Sequence, residues 1–309
     1  MLSLNKYKRS IQIIIEIGIV FFLINYFYEN RGELYRISLI NIKDTILLLM
    51  FVLIGNILRS FQLRAFINAL GSKISFLDSI WVTVGSTLLN YIPMNFGMLI
   101  KARIMKKKIG IKYSYFASLT IADILITLCM GSLLSIIFLI YKNLNFNKDL
   151  FLIISLCVFI IIISIIIFII PRSISSYFKG SIAYYLSAYL DGIIEIKRMK
   201  NLFLISSFVI FRLFLVAIQF FICFKSLGIN ISLSESILFS SISAILLIIP
   251  VTPGGIGFRE VIVGLISSAS GMNFEIGVLA SSIYQVATIF IHISIGVPGL
   301  LILKRKNII

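Results

Sequence analysis

The chain has 309 residues, 60% of them hydrophobic and 13% charged, with a formal net charge of +16 and a mean hydropathy of +1.09. A soluble domain carries about 25% charged residues, so this composition excludes a water-soluble globule and leaves no room for a soluble catalytic domain. The basic residues sit at the ends of apolar segments, the positive-inside pattern of membrane proteins, which argues against nucleic acid as a partner.

A helix crossing a bilayer needs about 20 apolar residues. Segments 11–28, 45–70, 114–141, 150–170, 202–227 and 274–303 meet that need. The basic start followed by an apolar run looks like a signal peptide, but no small-residue cleavage site follows Tyr28, so the first segment is expected to be retained as an anchor. Two further stretches, 79–93 and 236–250, hold only 15 residues each and end in proline. Fifteen helical residues cover roughly 22 Å, which is short for a crossing. Between the fourth and fifth spans, residues 177–200 place Tyr184, Tyr185 and Tyr189 among basic residues and read as an interfacial amphipathic helix.

Loop charge sets the expected topology. Lys6, Lys8 and Arg9 place the N-terminus in the cytoplasm, and Arg59, Arg64 and Lys73 mark the chain's return there. The densest basic cluster, Lys101, Arg103, Lys106, Lys107, Lys108 and Lys112, follows the first short stretch, which is therefore expected to enter and leave on one side. Arg172, Lys179, Lys197, Arg198 and Lys200 are cytoplasmic again, the loop 228–235 holds no Lys or Arg, and Lys304, Arg305 and Lys306 put the C-terminus inside.

An internal repeat fits this topology. Gly71-Ser-Lys-Ile-Ser-Phe-Leu-Asp-Ser-Ile80 returns 157 residues later as Gly228-Ile-Asn-Ile-Ser-Leu-Ser-Glu-Ser-Ile237, and from Gln62 to Gly97 12 of 36 positions equal their partners at Gln219 to Gly254. Three full crossings separate the copies if the short stretches are re-entrant, so the copies point in opposite directions. The expected fold is an all-α polytopic membrane protein of about six full transmembrane helices plus two re-entrant hairpins in an inverted repeat. It forms a single membrane-embedded domain over 1–309, with halves at about 45–141 and 202–303 joined by 142–201. In membrane proteins such halves usually enclose a site that opens to either side.

The second hairpin reads Ile249-Pro250-Val-Thr-Pro253-Gly254-Gly255-Ile-Gly257-Phe-Arg259-Glu260. Prolines remove donors and glycines permit positive φ, so a helix must break here, and broken backbone survives at membrane depth only against protein or a watered cavity. A helix restarting near Gly257 aims free N–H groups at that cavity, a place for phosphate or carboxylate. The first hairpin breaks equivalently at Asn90-Tyr-Ile-Pro93-Met-Asn95-Phe-Gly97, followed by Lys101 and Arg103. Asp123 and Arg212 each lie about ten residues into a span, where a charge costs roughly 2.5–3.5 kcal/mol. They read either as a structural ion pair or as groups meeting a headgroup. Arg59 and Arg64 either grip a lipid phosphate or snorkel. Arg259 with Glu260 reads either as a mobile gate or as a solvated external pair. His292, the only histidine, reads as a hydrogen-bonded packing residue or a proton-coupling group. Cys129, Cys157 and Cys223 lie in apolar runs and read as packing residues, and no metal-ligand spacing or phosphate-cradling loop appears, so neither metal nor cofactor is expected.

On the two motifs just quoted, Asn90 to Gly97 followed by a basic residue and Pro253-Gly-Gly-Ile-Gly257-x-x-Glu260, the chain resembles the family of lysylphosphatidylglycerol synthase transmembrane regions and related flippase-like proteins. The resemblance covers about 8–303. The family's first motif looks like Pro-x-Arg-x-Gly-Glu-x-x-Arg, where this chain has Asn95, Met98 and Lys101, while Glu260 matches the second. Relatives that are synthases append a soluble aminoacyl-transferase domain, so its absence from this sequence makes lysyl transfer unexpected. The resemblance implies translocation of a membrane lipid, with an anionic phospholipid or a polyprenyl-linked headgroup as partner. Alternatives are a membrane-embedded transferase using a lipid-linked donor and a non-catalytic subunit of an envelope-assembly complex. Envelope-biosynthesis proteins or a second copy of the chain are the remaining partners to consider, in the cell membrane.

Overall fold

The structure is a computed structural model that describes residues 31–92, 96–141, 148–169, 172–177, 190–194, 199–246 and 252–306, with 180 and 187 between them. Pro93, Asn95 and Pro250, the expected span at 11–28 and most of the expected amphipathic segment at 177–200 lie outside the described residues. The described chain is helical: α1 (Ile42–Ala69), α2 (Phe76–Leu89), α3 (Phe96–Ile104), α4 (Tyr113–Tyr141), α5 (Lys148–Ile169), α6 (Met199–Ser226), α7 (Leu233–Leu246), α8 (Phe258–Ala269) and α9 (Phe274–Arg305). Among the described residues four helices, within α1, α4, α6 and α9, are long and apolar enough to cross a membrane, and three shorter apolar helices lie within α2, α5 and α7. The expected count of six spans is therefore met in four places. The segment expected as the fourth span lies in the 22-residue α5, whose part Ile154–Ile169 is one of the three shorter apolar helices among the described residues.

The repeat reappears at the helix boundaries between the paired elements: α1 ends at Ala69 and α6 at Ser226, and α2 starts at Phe76 and α7 at Leu233, each pair offset by the 157 residues that separate the sequence copies. The signals that set those ends are duplicated as well. Gly71 (φ 72°) and Gly228 (φ 74°) take the left-handed conformation that L side chains resist, and each donates its N–H back three residues to close the helix. Ser75 and Ser232 then start the next helix: their hydroxyl oxygens accept from the N–H groups of Asp78 and Glu235, while those acids bond back to the serines.

The equivalent helices run antiparallel. Arg36, just before α1, donates to the Leu227 carbonyl at the end of α6 (3.2 Å), a Cβ on Gly55 would lie 3.6 Å from Gln219 Nε2, and the Phe61 and Phe208 rings stack with centroids 6.4 Å apart. As α1 advances, its partners on α6 retreat. The short helices cross over between the halves: α2 packs against α9 and α7 against α4. The α2–α9 seam is close because small residues face it, with Gly296 under Leu88 and Gly299 under Trp81. Around the outside, Phe203, Phe211, Ile137, Phe159, Ile166, Val286 and Leu301 are exposed. An apolar girdle of that extent is what lipid contact requires and water forbids.

Asp78 fixes one end of the bundle. In the first turn of α2 its carboxylate meets Lys108, beyond the end of α3, and Lys306, beyond the end of α9 (3.3 Å). The α2–α3 segment thus begins and ends at one level. Burial pushes the Asp78 carboxyl up, but the hydrogen bonds from Lys108 and Ser75 and the charge of Lys108 outweigh it and hold the group below its ordinary value. A depressed carboxylate lends stability above its unfolded pKa and loses it as the pH falls through the folded one. Thermal stability in detergent is therefore expected to fall on acidification below about pH 4, and Asp78→Asn to remove that part of the acid sensitivity.

Candidate functional site

The α1 stripe carries Asn56, Arg59 and Gln62 at helical spacing, and the elements packed on it determine what each meets. Gln62 and Arg59, with Asn90 and Thr87 at the end of α2, Lys101 on α3 and Asp123 on α4, line a cavity of about 120 Å³. That volume takes several waters or a group the size of a phosphate. Asp123 accepts a hydrogen bond from Gln62 Nε2 (2.6 Å), and four residues further along α4 the Thr127 hydroxyl accepts from Arg212 of α6 (2.9 Å). Asp123 and Arg212 therefore converge on one stretch of α4 without pairing directly. Arg59 and Lys101 line the cavity beside Asp123, and Arg212, outside its lining, lies within electrostatic reach of both cations. Three cations around one carboxylate leave an uncompensated positive charge at the cavity, which is costly away from water and favours an anion. Asn90 Oδ1 is buried beside it without a hydrogen-bond partner.

Gly97 makes this hairpin tight. A Cβ there would stand 1.8 Å from the Ser86 carbonyl oxygen and 2.5 Å from Asn90 Oδ1. Arg103, two residues beyond Lys101 and so on another face of α3, is exposed and does not line the cavity. Arg64 leaves the cavity wall and lies over the Phe76 ring, 5.9 Å from its centroid.

A second polar cluster surrounds the tip of the same hairpin. The Tyr91 hydroxyl bonds His292 Nδ1 (3.1 Å), and His292 Nε2 bonds Asn56 Oδ1 (3.2 Å), while Asn56 Nδ2 donates to the Val52 carbonyl (3.0 Å). Since the Asn56 oxygen only accepts, His292 carries its proton on Nε2, and Tyr91 donates to Nδ1. Tyr91 also touches the second hairpin: a Cβ on Gly254 would lie 2.1 Å from its ring. There Pro253, Gly254 and Gly255 form a single tight turn, with φ of 63° and 74° at the two glycines, and Gly257 (φ 79°) precedes α8. Arg259 donates to Gln285 Oε1 and lies over the Tyr284 ring, 5.0 Å from its centroid. Glu260 is 5% exposed, and its Oε2 has no hydrogen-bond partner. The two neighbouring charges therefore face protein in separate directions and form no solvated external pair.

Sequence reasoning singled out Asp123, Arg212, Lys101 and Asn90 and did not assign Gln62, Thr127, Tyr91 or Asn56. The available signal was the polar stripe at 56, 59 and 62 inside an apolar run. Neither a curated protein nor a solved structure matches the chain. The profile described as Lysylphosphatidylglycerol synthase TM region matches residues 11–296, so this multi-pass membrane protein belongs to the lysylphosphatidylglycerol synthase transmembrane-region family.

Proposed function

We propose that the protein translocates an anionic lipid headgroup, carrying a phosphate through the cavity between α1, α2, α3 and α4 while the acyl chains stay in lipid. The observation that carries this reading is a cavity lined by two cations, Arg59 and Lys101, with Arg212 in electrostatic reach of both, whose only facing carboxylate among the described residues is Asp123. In water such charges are worth little, whereas away from bulk water an anion meeting them gains strong, short, charge-assisted hydrogen bonds.

The two halves form one membrane domain, stand upside-down to one another and each contribute a hairpin that dips in from one face. Antiparallel α1 and α6 support the inversion, and the Asp78–Lys108 contact supports a first hairpin that enters and leaves together. Alternate opening of the hairpins at 90–101 and 250–260 would expose the cavity to one leaflet and then the other. With Lys306 at the Asp78 end, the loop-charge rule places that end and both termini in the cytoplasm. Cysteines introduced at Ser72 and Ser234 are expected to react with an impermeant thiol reagent from opposite sides, and same-side labelling overturns the topology.

The function is tested with the purified chain in liposomes containing acyl-labelled phosphatidylglycerol. The expected result is transbilayer exchange of the label above the rate of empty liposomes. A new lipid species without exchange would replace translocation by transfer chemistry.

A further inference from the structure

Glu260 stands apart from every other acidic residue among the described helices. It is 5% exposed, and its Oε2 is buried with no partner. Arg259, the adjacent cation, is spent on Gln285 and the Tyr284 ring. The unpartnered Gln285 Nε2 and Thr252 Oγ1, in side chains 4% exposed, share the surroundings of this hairpin. A bare ionised oxygen in such a place is far costlier than a neutral carboxyl, and buried groups neutralise to avoid that cost. Opening the second hairpin to water reverses the balance, because water can solvate the ion.

We propose that Glu260 is a proton-carrying site that couples headgroup movement to a proton gradient. This rests on the translocation reading. The groups around it set the sign of coupling. Arg259 precedes it on α8, and Tyr91 on the first hairpin lies within electrostatic reach of Glu260, Arg259, Arg59 and Tyr284. α9 brings Tyr284 and His292, with Glu275 in its first turn and Lys304 and Arg305 in its last. The one titratable residue of α7, Glu235, sits in its first turn, bonded to Ser232. The field at the hairpin tips is thus cationic and lowers the cost of ionising Glu260, although burial keeps the carboxyl protonated while the hairpin is closed. An arriving phosphate cancels part of that field, so anion and proton load together and travel in the same direction. The proton comes from water on the acidic side, forms an O–H bond at Oε2 and leaves to water on the alkaline side, with no bond of the lipid altered.

Two measurements test this. In liposomes with acyl-labelled phosphatidylglycerol and an imposed pH difference, the final leaflet ratio is expected to tilt toward the alkaline side, by up to about tenfold per pH unit for one proton per headgroup. Exchange that ends at the same ratio with and without the gradient overturns the coupling while leaving translocation standing, as does a tilt driven by sodium alone. A wild type that moves no label under any gradient removes both. The second measurement needs no activity: the infrared band of a protonated, weakly bonded carboxylic acid is expected in the detergent-purified wild type at neutral pH and absent from Glu260→Gln. No such band in the wild type, or its persistence in the variant, overturns the assignment to Glu260.

Discussion

Gly97→Ala is expected to abolish headgroup exchange while the chain still inserts in normal amount. The added methyl would stand 1.8 Å from the Ser86 carbonyl oxygen and 2.9 Å from the Asn90 amide nitrogen, both backbone atoms that no rotamer change can move aside. α2 and α3 must part. Overpacking of this kind costs about 1–3 kcal/mol in a core, small beside the lipid burial that holds four apolar helices in the membrane, yet large for a hairpin that must hold Asn90 and Lys101 on one cavity. Trp81, the only tryptophan, reports the displacement, because it sits on α2 against Gly299 of α9. A shift in its emission together with exchange at the liposome background is the expected pair of results. Normal exchange would remove the first hairpin from the mechanism. Gly254→Ala acts by another route, since its methyl meets the Tyr91 ring, a side chain that can swing away at the loss of its bond to His292.

Lys101→Ala and Arg212→Gln are each expected to weaken binding of anionic headgroups by about tenfold to a hundredfold, from about 1.5–3 kcal/mol per charge-assisted hydrogen bond. The check is ligand-induced thermal stabilisation of the detergent-purified chain by short-chain phosphatidylglycerol, compared with phosphatidylcholine. A headgroup role lowers the preference for the anionic lipid, whereas a purely structural role lowers stability with both lipids equally and overturns the assignment. Asp123→Asn works in the opposite direction. It leaves three cations unopposed, so the anion should bind more tightly and leave more slowly, and exchange falls although affinity rises.

Much of the fold was legible because lipid imposes a coarse length rule. The segments expected at 45–70, 114–141, 202–227 and 274–303 emerge as α1, α4, α6 and α9 with ends moved by a few residues. The short stretches expected at 79–93 and 236–250 emerge as α2 and α7, each starting three residues earlier than expected because Ser75 and Ser232 cap them. The site was legible where charge conflicted with the bilayer. Asp123 and Arg212 stood out by their insertion cost, but that cost carries no information about partners. Gln62 is neutral and raises no such alarm, so its bond to Asp123, across 61 residues of chain, was invisible. Tyr91 and His292, 201 residues apart, meet only because α2 packs against a helix of the other half.

That crossover bears on how the protein is made. α2 leaves the ribosome long before α9, and Asp78 waits 228 residues for Lys306. Until the last helix arrives, the partners of the glycine-lined seam, of the Tyr91 hydroxyl and of Asn56 Oδ1 on α1 are missing, and an insertase or chaperone is expected to shelter them. Nascent chains halted ahead of α9 should therefore be cleared by membrane proteases even though most of their helices are already in the bilayer.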